Sequence, residues 1–135
     1  MDVVECQALP ESVEIVRSLT QKDLIVDCLL GTGAHGAVRS PLDEVILAVN
    51  QSTAQVIAVD VPSGMNCDDG TVVNVCVKAH VTVTFVATKS GFDNPDAAAF
   101  VGRLSVAHIG LPASWVEAWL TRRRRKHCLP RDGID

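Results

Sequence analysis

Four short runs dominated by apolar residues punctuate the chain, Asp23–Leu30, Gln55–Asp60, His80–Ala87 and Leu104–Ile109, each rich in Val or Ile and bounded by Gly, Pro or Asp. Runs of that length and β-branched content predict strands. The runs are near-continuously apolar, which suits a parallel sheet covered on both faces. Between the first two, Leu42, Val45, Ile46 and Val49 recur at helical spacing, with Ser40 as the expected N-cap, Pro41 at the first helical position and Asp43 in the first turn. That makes one βαβ unit. Flanking helices are expected from about Pro10 to Leu19 and from Pro112 to about Arg122, the latter burying Trp115 and Trp119 along one side. A doubly wound sheet normally opens with its first strand and a ligand-binding loop, yet here the first strand stands at Asp23 behind one helix. Either Met1–Cys6 adds a short strand or amino-terminal strands are missing, and the second is the expectation.

Composition narrows the class. At 135 residues and 47% apolar, with a mean hydropathy of +0.23, the chain fits one well-packed domain. A formal net charge of −4 argues against general nucleic-acid binding, which needs a basic surface. The exception is Arg122–Lys126, read as a solvated linker or the charged end of a helix, with an anion-binding or targeting patch as the alternative. Asp2, Glu5, Glu11, Glu14 and Arg17 interrupt the place where a secretory leader would be apolar, and no apolar run is long enough to span a bilayer. The five cysteines show neither a CxxC pair nor zinc-ligand spacing, so reduced thiols in a cytoplasmic setting are expected, a mitochondrial one being the alternative. Cys28 reads as a small core residue of the first strand.

The candidate chemistry gathers at two strand ends. Gln55–Asp60 runs into Val61-Pro62-Ser63-Gly64, and Asp23–Leu30 runs into Gly31-Thr32-Gly33-Ala34-His35-Gly36. Open α/β sheets bind ligands in the crevice outside such carboxyl ends. Gly31, Gly33 and Gly36 formally make a GxGxxG, but the following helix cap lies too late to face a pyrophosphate, which disfavours a nicotinamide dehydrogenase. No Gly-Lys-Ser/Thr follows the glycines, which excludes a Walker A loop. Asp60 is either a capping acid for the Pro-Ser-Gly turn or a carboxylate aimed at the ligand, able to hold a hydroxyl or move a proton. Asp27 interrupts an otherwise apolar strand, and a buried carboxylate must be hydrogen-bonded, paired or bound to a cation. Ser63 offers an oxygen of the kind a hard cation favours. His35, His80 and His108 read as surface or sheet residues, Lys89 as either solvated or phosphate-facing, and the Thr82 and Thr84 alternation as β-propensity.

Asp23–Gly33, Arg39–Pro41, Val59–Gly64, Asp69-Gly70, Ala79–Phe85, Lys89–Gly91 and Ile109–Pro112, in that order, resemble the carboxyl-terminal half of the YjeF N-terminal domain family, the NAD(P)H-hydrate epimerases. The resemblance covers roughly Lys22 to Pro112. It implies a Rossmann-like three-layer αβα domain, usually a homodimer, that interconverts the R and S forms of hydrated NADH and NADPH. An ATP- or ADP-dependent dehydratase, fused or separate, then repairs the cofactor. By position, Gly31, Thr32, Gly33, Ala34, His35, Gly36, Ala37 and Asp60 are implied as hydrate-binding and Asp27 and Ser63 as ligands of a potassium ion, and the chemistry of that reaction gives Asp60 the catalytic role, as proton acceptor and as a negative field for the developing cation. No redox cofactor is implied, since the hydrate is the substrate. Nothing before Asp23 resembles the Asn- and Gly-rich loop that completes the family's pocket, and Arg122–Asp132 resembles the linker before the dehydratase domain of bifunctional members. Residues 1–121 therefore read as a partial domain and 122–135 as a basic linker or tail, inactive when alone. The competing reading is a non-catalytic truncated paralogue acting through nucleotide binding or protein contacts.

Overall fold

The computed structural model describes residues 9–18 and 23–127. Helix α1 spans Leu9–Ser18, followed by strand β1 at Leu24–Asp27, helix α2 at Leu42–Gln51, and strands β2 at Gln55–Val59 and β3 at Val81–Phe85. Two 3-10 turns, Ser90–Asp93 and Pro95–Ala97, lead into the short helix α3 at Ala98–Val101, then β4 at Arg103–Ala107 and α4 at Ala113–His127. The four strands pair in parallel in the order β1-β2-β3-β4, with Asp27 opposite Ala58 and Val59 opposite Val83. All four predicted strands are present, in the predicted parallel sheet. The alternative of a short strand at Met1–Cys6 falls on residues outside those described.

Every crossover steps the same way along the sheet. Right-handed connections that keep one direction all fall on one face, and the core follows that rule. Val45, Ile46, Ala48 and Val49 of α2 pack with Val13 of α1 against Ile25 and Val56. A second cluster, Val61, Met65, Cys76, Ala97 and Val101, packs with Leu104 on the same side of the sheet. On the other face stand Leu24, Val26, Ile57, Val59, Val81, Val83, Phe85 and Ala107, none of them buried, with Leu24 57% and Val26 54% exposed. The expected cover on both faces is thus supplied on one face only by the described residues. The apolar runs were read correctly; one-way winding is why a second layer does not come from these connections.

Three local expectations need correction. Ser40 does not cap α2: the cap is Pro41, which has no side-chain acceptor, and the Ser40 hydroxyl stands 3.5 Å from Glu44 Oε1 instead. Trp115 and Trp119 are 71% and 53% exposed rather than buried along one side of α4, and Trp119 borders an open cavity. Cys28 is exposed, because β1 ends at Asp27 and the chain turns into the glycine loop. The basic run continues α4 to His127.

An uncovered apolar face beside an edge strand invites pairing with another copy. The chain is expected to associate as concentration rises in sedimentation velocity, and Val26→Lys to shift the distribution toward monomer without lowering the melting temperature. Monomeric wild-type protein at about 100 times the concentration of the first measurement would contradict the exposed face.

Candidate functional site at the carboxyl ends of β1 and β2

Asp27 is the last residue of β1, 2% exposed, on the covered face. Its carboxylate is fully engaged. Oδ2 accepts the Ser63 backbone N–H at 2.8 Å, while Oδ1 accepts the Ser63 hydroxyl at 2.6 Å and the Leu29 N–H at 3.2 Å. A hydroxyl has one proton to give, and the 2.6 Å contact takes it, so the Leu30 carbonyl at 3.5 Å receives none. The same hydroxyl oxygen accepts the Leu30 N–H at 2.9 Å. One acid thereby ties β1, the first residues of the glycine loop and the Pro-Ser-Gly turn together.

The donor set suits a hard monovalent cation in kind: carboxylate, hydroxyl and the Leu30 carbonyl are all oxygens. Among the described residues no cationic side chain pairs with Asp27, so its charge is buried without a counter-charge. Hydrogen bonding alone already answers the polarity of the carboxylate; a cation would answer its charge.

Gly64 adopts φ +100, and a Cβ there would run into the Val75 carbonyl oxygen. Only glycine fits that turn. At Gly31 and Gly33 the position is the reverse, since an added Cβ would meet no atom within 4 Å. The chain's own packing does not demand those two glycines. The far end of their loop is pinned by Asn74, whose side-chain carbonyl accepts the Val38 N–H and whose amide donates to the Val38 carbonyl, both at 2.9 Å.

Asp60 follows β2 with φ 68, a left-handed conformation uncommon outside glycine. Its N–H still donates to Val83 O at 2.8 Å, which extends the β2–β3 ladder by one step. The carboxylate turns toward the end of β3. Oδ1 accepts the Thr84 hydroxyl at 3.0 Å, the Phe85 N–H at 3.1 Å and the Lys89 ammonium at 2.7 Å. Burial pushes the Asp60 carboxyl up, but the Lys89 ammonium, the Phe85 amide and the Thr84 hydroxyl together outweigh it and hold it below 3.8. A depressed carboxyl contributes stability that is present above pH 3.8 and is lost as pH falls through the lower folded value.

Two cavities flank the segment Asp60–Cys67. One, of about 660 Å³, is lined by Phe85, Val86, Lys89, Asp68, Asp93 and Trp119 among others. The second, of about 620 Å³, lies between Ala34–Leu42 and Gly64, Asn66, Thr71 and Val73. Both fall in the size range of small-molecule sites. The structure thus brings Asp27 to Ser63 and sets Ala34, His35, Gly36 and Ala37 along the second cavity. Gly31, Thr32 and Gly33 precede it in the loop, and Asp60 pairs with Lys89, which lines the first. Sequence reasoning missed Thr84 and Lys89 as partners of Asp60. Thr84 is fully buried in the sheet, and a polar residue in an apolar strand was the available signal. His80 is satisfied within the sheet region, its Nδ1 accepting the Val56 N–H at 3.0 Å. Cys76, near Asp27, has its thiol pushed up to about 12 by burial and by that carboxylate, which leaves it unreactive.

Asp27→Asn would set an amide N–H against the Ser63 or Leu29 donors, and is expected to destabilise the fold by roughly 2–3 kcal/mol in urea unfolding. Gly33→Ala is expected to stay within about 0.5 kcal/mol of wild type. A neutral Asp27→Asn would show that the buried network is not formed.

The profile of the family described as YjeF-related protein N-terminus matches residues 3–91. The chain is 45% identical over 106 residues to the bifunctional NAD(P)H-hydrate repair enzyme Nnr of Coxiella burnetii, covering 78% of this chain and 22% of that protein. It is 35% identical over 115 residues to the NAD(P)H-hydrate epimerase of Pirellula staleyi, covering 85% of this chain and 51% of the relative. With the NAD(P)H-hydrate epimerase of Rhodopirellula baltica it shares 43% over 109 residues, 81% and 44% of the two chains. The chain spans about half the length of these epimerases and about a fifth of the bifunctional protein. The matched span holds both strand-end acids, the glycine loop, the Pro-Ser-Gly turn and Lys89, and the chain belongs to the YjeF-related protein N-terminus family.

Proposed function

We propose that the chain supplies the substrate-facing half of an NAD(P)H-hydrate epimerase domain. The observation that carries this reading is the Asp60 carboxylate, held ionised at a strand end by Phe85 and Lys89, which themselves line a cavity of about 660 Å³, in a chain whose relatives are named for that activity. The hydroxylated ring carbon of the hydrate adjoins the ring nitrogen. Loss of hydroxide gives an iminium, and water can return to either face. Departure needs a proton on the leaving oxygen, and return needs an acceptor for one proton of the water. An iminium is a strong electrophile, so a weak base suffices for the second step, and Asp60 with its lowered carboxyl is such a base. No hydride moves, so no redox cofactor takes part.

In the same proposal Gly31 to Ala37 bind the hydrate through the loop that Asn74 anchors, and Asp27 and Ser63 hold a potassium ion. That ion would offset the buried charge of Asp27 and stiffen the turn that follows Asp60. Residues 1–121 then form part of the epimerase domain, dimeric when whole, and 122–135 a basic connection to a dehydratase.

The test is a coupled assay on the R hydrate, run on the 135-residue chain alone and joined to the amino-terminal half of the Rhodopirellula baltica epimerase. Activity is expected in the joined protein, and Asp60→Asn should lower it by about a hundredfold or more. Equal rates with Asp and Asn would remove Asp60 from the chemistry. Potassium should raise the melting temperature of the joined protein more than tetramethylammonium at equal concentration, because an ion bound to the native state adds its binding free energy. Asp27→Ala should erase the difference, and identical curves in the two salts would reject the ion site.

A further inference from the structure

The partners of Asp60 are distributed unevenly between its two oxygens. Thr84, Phe85 and Lys89 all donate to Oδ1, and no described residue donates to Oδ2. Lys89 also donates to the Phe85 carbonyl at 3.3 Å, so its ammonium is fixed between the end of β3 and the acid. Asp60 and Val86 both have φ 68, and for a β-branched residue such as Val86 this is an outlier. Backbone strain of this kind costs on the order of 1–3 kcal/mol per residue and persists where the surroundings over-determine it. The two strained residues lie on the two segments that the ion pair joins.

Besides Lys89, the charged residues lining the cavity of about 660 Å³ are Asp68 and Asp93. Both are acidic and would disfavour a charged Asp60. Lys89 is the one cation among the described residues that line it.

We propose that Lys89 is the positioning residue of Asp60: with Thr84 and the Phe85 amide it saturates Oδ1 and so fixes the carboxylate plane, leaving Oδ2 to meet the ligand's hydroxyl. The inference rests on the reading of Asp60 as the acid that contacts substrate. The pairing also accounts for the spacing of Asp60 and Lys89 across two strand ends, which a solvated lysine would not require.

The first arm of the test is independent of activity. In the 135-residue chain, the Asp60 carboxyl is followed by carbon-13 NMR across the acid range. Lys89→Met should move its midpoint upward and Lys89→Arg should hold it near the wild-type value, because arginine keeps the charge. Should the methionine variant fail to fold, Lys89→Gln carries the same comparison. An unmoved midpoint in the neutral variant overturns the proposal. In the second arm the joined protein is assayed, where Lys89→Met should lower kcat by about tenfold to a hundredfold, the scale of a misplaced catalytic group, with KM little changed. Lys89→Arg should recover most of it. If the wild-type joined protein does not epimerise the hydrate, the functional reading falls, and the NMR midpoint still decides whether Lys89 governs Asp60.

Discussion

The buried carboxylate of Asp27 is the constraint on which the site depends. It takes two donors from Ser63 and one from Leu29, and the Ser63 hydroxyl in turn holds Leu30. Four backbone stretches with independent conformational freedom are thereby reduced to one body: the end of β1, the start of the glycine loop, the turn after β2, and through that turn the segment carrying Asp60. A charge without a counter-charge is an expensive way to make such a junction, since an isolated buried charge is disfavoured by several kcal/mol unless it is compensated. Hydrogen bonds meet part of that demand.

Asp60 solves a different problem from the same kind of location. Its charge is matched directly by Lys89 at 2.7 Å, so the pair is nearly neutral as a whole and contributes little net field at a distance. What the pair leaves is a carboxylate held in one orientation by Thr84, Phe85 and Lys89. The two acids, alike in sequence setting, diverge because one side chain turns into the core and the other toward the rim.

Much of this was legible in the sequence, for identifiable reasons. Apolar β-branched runs located all four strands, since burial acts on each residue and needs no partner to be known. The helical spacing of Val45, Ile46 and Val49 located the core face of α2 for the same reason. Asp27 stood out because it broke a buried pattern, and Ser63 proved to be its partner. What escaped notice depends on three-dimensional placement. Lys89 reaches Asp60 from 29 positions away, and Thr84 looks like any strand threonine until its hydroxyl finds a carboxylate. The asparagines at 50 and 74 imitate backbone partners for irregular chain, Asn50 serving Cys76 and Lys78 and Asn74 serving Val38. No local pattern announces that use. The exposure of Trp115 and Trp119 was likewise invisible, because two tryptophans at helical spacing imply a face without saying what meets it.

The order of the strands in the sheet is the order of the strands along the chain. Each new strand therefore adds to the outer edge of its predecessor, and none must be inserted between two that are already paired. For a polypeptide made from its amino terminus onward, synthesis and pairing run in the same direction, so the docking edge for each strand exists before that strand emerges. The turn from Asp60 to Gly64 can close onto Asp27 once β2 has docked on β1, ahead of β3. Lys89 comes last, and the acid of β2 acquires its counter-charge only when the third strand is complete.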